Sequence, residues 1–145
     1  MKLTVIALAA IGAALAFAAP AHAQPGIVQM QLDSAAVMFR NEGLIRQDDY
    51  ATGALDQGED EEFELTLDGG KQYVIVGFCD GDCSDMDLEL STSGGEVVNS
   101  DFADDDYPVV TVEPSRSTTY TLRVVIAACS AEPCYYGVGV FARDQ

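Results

Sequence analysis

Asp80, Asp82, Asp85 and Asp87 lie close together in the stretch Tyr73 to Leu90, YVIVGFCDGDCSDMDLEL, and Asp101, Asp104, Asp105 and Asp106 form a second acidic run further along. Carboxylates in such density offer hard oxygen ligands. Calcium takes about six to eight of these at ~2.3–2.6 Å, so several must converge on one loop-rich spot. Asp80, Asp82, Asp85 and Asp87, with Asp104 brought over from the second run, are the set expected to hold calcium, the one cofactor this composition suggests. The spacing matches neither the twelve-residue EF-hand loop nor a glycine-aspartate nonapeptide array. The competing reading is a solvated acidic loop in which Asp85 and Asp87 bond turn amides.

The chain has four cysteines, two of them inside the same stretch. Cys79 and Cys83 bracket CDGDC, and Cys129 and Cys134 bracket CSAEPC, each between two strand-like runs. Four cysteines allow three pairings. Local pairs, Cys79 with Cys83 and Cys129 with Cys134, are the expected ones, shaping loops more than constraining the unfolded chain. The single histidine, His22, precedes an expected cleavage point, so neither a zinc set nor a Ser-His or Cys-His pair is available. The chain also has no tryptophan and no sign of an aromatic-lined cleft for paired-carboxylate glycoside chemistry. No enzymatic activity is expected.

Strands must position these groups. Tyr73, Val74, Ile75, Val76 and Phe78 form a β-branched and aromatic run too short for a helix. From Met86 the pattern alternates, with Met86, Leu88 and Leu90 on one face and Asp85, Asp87 and Glu89 on the other. The simplest reading is a β-hairpin with a cross-linked acidic tip, and a second hairpin from Phe63 to Leu67 through Asp68-Gly69-Gly70 into the Tyr73 strand. Further strands are expected at Val97–Val98, from Tyr107 to Val112, from Tyr120 to Ile126 and from Tyr135 to Phe141, where Gly137 and Gly139 mark a bulge or close backbone approach. About seven short, regularly spaced strands predict an all-β antiparallel sandwich.

Met1 to Ala23 has Lys2, an apolar run and Ala21-His22-Ala23, the pattern of a secretory signal peptide. After cleavage no stretch approaches membrane-spanning length. From Ile27 to Arg46, apolar residues at helical spacing predict a short amphipathic helix, followed by a loop from Asp48 to Glu62. The expected organisation is therefore a leader at 1–23, a helical segment at 24–50 and a β-sandwich at 51–145. The formal net charge of −17 disfavours nucleic acid and anionic membrane surfaces as partners. Cysteine usage and the leader place the protein in the periplasm or outside the cell.

Gly53, Leu55 and Gly58, Gly70-Lys-Gln-Tyr73, the Cys79/Cys83 loop, Asp85-Met-Asp-Leu-Glu-Leu90, Gly94-Gly95, Asp101, Tyr107-Pro-Val-Val110 and Ser117 to Val125 follow one another in an order that resembles the bacterial pre-peptidase C-terminal domain, over roughly Ala51 to Ala142. The resemblance implies a jelly-roll-like β-sandwich and a non-catalytic module, related collagen-binding modules being calcium-dependent. Such modules are usually appended to secreted hydrolases, whereas here the module-like region fills most of the chain. The expected function is an exported binding or accessory module, with calcium as a stabilising ion, that contacts a protein or polysaccharide, Tyr107, Tyr135 and Tyr136 being candidate contacts. The alternative is a structural or self-associating envelope protein that uses the helix.

Overall fold

The computed structural model describes residues 25–144, the side chains of residues 25 and 48–50 excepted. The expected leader at 1–23 lies outside the described residues. Helix α1, Pro25–Asn41, opens on a proline, whose missing N–H costs nothing in a first turn. It closes in a Schellman motif. Leu44 N–H donates to the Phe39 carbonyl and Gly43 N–H to that of Arg40, with Gly43 at φ 79°. Leu44 and Phe39 belong to the same apolar cluster, the contact that usually accompanies this cap.

Eight strands follow: β1 Ile45–Leu55, β2 Asp60–Leu67, β3 Lys71–Cys79, β4 Cys83–Thr92, β5 Val97–Asp101, β6 Val109–Val112, β7 Thr118–Cys129 and β8 Cys134–Asp144. They form two four-stranded antiparallel sheets, ordered β1-β8-β3-β6 and β2-β7-β4-β5. This is the strand order of an eight-stranded jelly roll with two Greek keys, so the expected fold class holds.

Two expectations are corrected. The helix stops at Asn41 rather than Arg46, and most of the expected loop from Asp48 to Glu62 is strand β1 together with the start of β2. The boundary expected at 50/51 therefore falls inside a strand. IRQDDYATGAL shows little apolar alternation because β1 is held by its pairing with β8, from Ile45 opposite Ala142 to Leu55 opposite Cys134. Second, β3 forms no hairpin with β2 or β4. It pairs with β6 and β8, while β2 pairs with β7, and β4 with β5 and β7. The turns after Leu67 and Cys79 thus carry the chain from one sheet to the other. Of strands consecutive in sequence, β4 and β5 alone pair, through a turn in which Thr92 N–H donates to the Glu96 carbonyl and Gly95 takes φ 84°.

Alternating residues of both sheets, among them Leu65, Ile75, Met86, Leu88, Val110, Leu122, Ile126, Val138 and Val140, fill the space between them. β3 is apolar on both faces because its other side meets α1. Val76, Phe78 and Phe141 pack there with Val28, Leu32, Ala35 and Leu44. Gly137 and Gly139 admit the helix: a Cβ on Gly137 would lie 2.5 Å from Val28 Cγ1, and one on Gly139 3.1 Å from Leu32 Cδ2. Of the two readings of these glycines, close backbone approach is the one found. The helix thereby covers the outer face of the β1-β8-β3-β6 sheet and leaves the outer face of the other sheet bare.

Candidate functional site

The bare face is built by register. Alternation turns Phe63, Leu65 and Leu67 of β2 toward the core and Asp60, Glu62 and Glu64 outward. Across the ladder, Asp60 lies opposite Val125 and Val125 opposite Asp87, while Glu62 lies opposite Arg123 and Arg123 opposite Glu89. A single guanidinium therefore stands among four carboxylates, with Asp85 beyond Asp87 on the same strand. Arg123 donates to Asp60 Oδ1 at 3.0 Å, which holds the Asp60 carboxyl below its ordinary range. The same bond, with the nearby charges of Asp60, Glu89 and Glu62, raises the pKa of Arg123.

The acidic loop between β5 and β6 closes one end of this face. Met86 N–H donates to the Asp105 carbonyl at 2.9 Å, pinning the loop to β4. Asp101 organises the loop from within, accepting from Ala103 N–H at 3.2 Å and from Val109 N–H at 2.8 Å. Burial pushes the Asp85 carboxyl up, and the charges of Asp104 and Asp105 push it further. Asp87 is also pushed up, by burial first and then by Asp85, Asp101 and Asp104, with Arg123 opposing. Asp85 Oδ1 is buried without a hydrogen-bond partner.

The expected calcium set divides between two places. Asp85, Asp87 and Asp104 share this face, and Asp101 and Asp105 join them. Asp80 and Asp82 sit on the cross-linked tip and are not among the charges that act on Asp85 or Asp87. Asp80 is 2 % exposed, its carboxylate oxygens bond to nothing, and its backbone N–H donates to the Tyr135 carbonyl. Asp82 offers its carbonyl to the N–H and hydroxyl of Ser130. Among the described residues no group of three His, Cys, Asp or Glu side chains converges as metal ligands would.

The cysteines pair as expected, Cys79 with Cys83 and Cys129 with Cys134, and no described cysteine is free. Both cross-linked loops pass between sheets at the same end of the sandwich, where Cys83 lies opposite Cys129 in one sheet and Cys79 opposite Tyr136 in the other. Of the three tyrosines, Tyr136 is corrected from surface to core at 1 % exposure. Its ring lies against Gly53, and its hydroxyl donates to the Glu61 carboxylate at 2.5 Å, joining β8 to β2 across the open edge of the sandwich. Burial and that bond raise its pKa strongly. Tyr107 is half-buried against Phe78, with ring centroids 4.9 Å apart. Tyr135 packs against the apolar cluster under the helix.

Sequence reasoning missed Arg123, Asp60, Glu62 and Glu64 as parts of one surface. The alternation of Glu62 and Glu64 with Phe63 and Leu65 was visible, but nothing local shows that Arg123 is the residue between Glu62 and Glu89.

Fold and face together define a jelly-roll β-sandwich with one helix-covered sheet and one acidic sheet. No protein-family model and no curated protein matches the chain. Among solved structures, the chain is similar to PliG of Aeromonas hydrophila, a periplasmic lysozyme inhibitor of g-type lysozyme, at 13 % identity over 66 % of this chain and 85 % of that one, with a TM-score of 0.47. It is also similar to the CBM36-1 domain of a multidomain xylanase from the hindgut metagenome of Trinervitermes trinervoides, at 14 % identity over 72 % and 93 %, with a TM-score of 0.35. Among the described residues no helix is long and apolar enough to cross a membrane.

Proposed function

We propose that the chain is an exported, non-catalytic binding module whose β2-β7-β4-β5 face engages a cationic surface of a protein partner. The observation that carries this reading is the outward row in which Arg123 alone faces Asp60, Glu62, Asp87 and Glu89. Surfaces of one sign steer and select partners of the other. A protein is favoured over a polysaccharide because Tyr136 is buried and Tyr107 and Tyr135 are packed against neighbours, so that Phe102, 56 % exposed in the acidic loop, is the one large exposed aromatic among the described residues, where a sugar-stacking platform commonly needs more than one. Export rests on the leader pattern, and the two disulfides fit an oxidising compartment. Kinship with the pre-peptidase C-terminal domains is part of the proposal, supported by the Asp85-Met-Asp-Leu-Glu-Leu90 motif and the jelly-roll order.

Charge reversal tests the face. Binding to poly-lysine and to soluble xylan would be followed calorimetrically for the unaltered protein, for Glu62→Lys with Glu89→Lys, and for a charge-matched control, Glu42→Lys with Asp144→Lys. The first pair is expected to weaken poly-lysine binding about tenfold more than the control, with a steep salt dependence. Equal weakening by both pairs discards the face, and tight xylan binding indicates the polysaccharide reading instead.

Calcium is a second reading, favoured by the unpartnered Asp85 Oδ1 and the like charges around Asp85 and Asp87. Ligand bound only to the folded state raises the unfolding midpoint. A rise with calcium that magnesium does not reproduce and Asp104→Asn abolishes is the expected result. An equal response to both ions reduces the acids to a screened surface.

A further inference from the structure

We infer that the outer face of α1 is the seat of a two-fold contact with a second copy of this chain. Val28, Leu32 and Ala35 point into the sandwich, while Met30, Val37 and Met38 on the opposite side are 61 %, 67 % and 52 % exposed. With Ser34 they run along one side of the helix, at the spacing that stacks side chains in a stripe. A shallow groove of about 270 Å³ between this stripe and Phe78 is lined by Met30, Gln31, Ser34, Ala35 and Met38. Gln31 Oε1 is buried in the protein without a donor.

Charge indicates which occupant fits. The whole chain carries −17, so most of its surface repels another copy. The helix is the exception: it holds one acid, Asp33, and one base, Arg40. A two-fold contact is self-complementary, each residue meeting its counterpart's partner. An antiparallel copy with its axis between positions 36 and 37 sets Asp33 against Arg40, and Arg40 against Asp33, with Val37 beside the axis. Asp33 makes its bonds to Gln29 and Arg46 through Oδ1, and Arg40 is exposed. Because α1 lies on the β1-β8-β3-β6 sheet, such a dimer leaves both acidic faces uncovered and turned away from each other. A helix of this length gives a small contact, well under the ~800 Å² per partner of a typical stable interface, so the association is a weak one.

The test is sedimentation velocity on the oxidised protein, expressed from the full chain, over about 10 μM to 1 mM at low and at high salt. The expected result is a reversible monomer–dimer equilibrium within this range, with the charge-swap variants compared at low salt, because high salt screens the Asp33–Arg40 pairs as well as the repulsion between like-charged copies. Val37→Asp is expected to weaken it about tenfold or more, and Val37→Cys to give a disulfide-linked dimer. Arg40→Asp and Asp33→Arg each lose the dimer alone, and an equimolar mixture of the two restores it as a heterodimer. These side chains are exposed, and thermal unfolding of each variant confirms an intact fold. A monomer throughout the range, a dimer indifferent to Val37→Asp, or a mixture that gains nothing over its components overturns the contact.

Discussion

Asp87 shows how one carboxylate can be useful at a surface and costly to the fold. Burial and the charges of Asp85, Asp101 and Asp104 hold its pKa above the ordinary carboxylate value, and Arg123 only partly offsets them. A raised carboxyl pKa means that the folded state binds protons more readily than the unfolded one. Stability from this group therefore rises as pH falls from neutrality through the folded pKa, and is lost again as pH climbs. Asp87→Asn removes the charge at every pH. The variant is expected to unfold at a higher temperature than the parent at pH 7, and the difference to shrink as the pH approaches the ordinary carboxylate range. Melting curves across that interval check both the sign and the convergence. The excess negative charge is thus the feature a cationic partner would relieve. The alternation that turns Asp85, Asp87 and Glu89 outward was legible from the sequence, because one strand's own residues define it. The role of Arg123 was not, because it depends on a register with strands distant in sequence.

At the scale of elements, α1 is held to the sandwich by shape. The Schellman cap and its Leu44 contact set the angle at which the chain leaves the helix, and Val28 and Leu32 sit where Gly137 and Gly139 carry no side chain. Gly137→Ala would press a methyl against Val28, and overpacking of this kind costs about 1–3 kcal/mol. Val28→Ala alone leaves a small cavity, while the double variant should recover part of the loss, the mark of two residues sharing one space. Urea unfolding of the two single variants and the double variant gives the coupling directly. Additive losses would mean that the helix does not press on β8 at that point. Strand β1 carries a related lesson. Its sequence is polar and reads as a loop, yet it forms a ladder with β8 because Gly53 leaves room for the ring of Tyr136.

Considered whole, the molecule is two sheets tied at one end by cross-linked loops and at the open edge by the bond from Tyr136 to Glu61. The disulfides close short loops, with sequence separations of 4 and 5, so each contributes only roughly 2 kcal/mol through the unfolded chain. Reduction followed by denaturant titration is expected to show a folded protein with a lower midpoint rather than an unfolded one. Complete unfolding on reduction would mean that the loops hold the sheets together and do more than shape their own turns.

The local features were legible in the sequence by itself: the presence of seven of the eight strands, the alternation of those with one buried face, a helix after the leader, the surplus of acid, and local pairing as the expected one of the three ways to join four cysteines. Each depends on residues near one another in the chain, where spacing is already geometry. The tertiary structure alone decided which strands pair, that β3 is shared by no hairpin, and that Asp60, Glu62, Arg123, Asp87 and Glu89 form one surface. Alternation tells which side of a strand meets a core but carries no information about the neighbour across the ladder. In a jelly roll nearly every neighbour is distant in sequence, chosen by how both sheets and the helix can bury their apolar faces together.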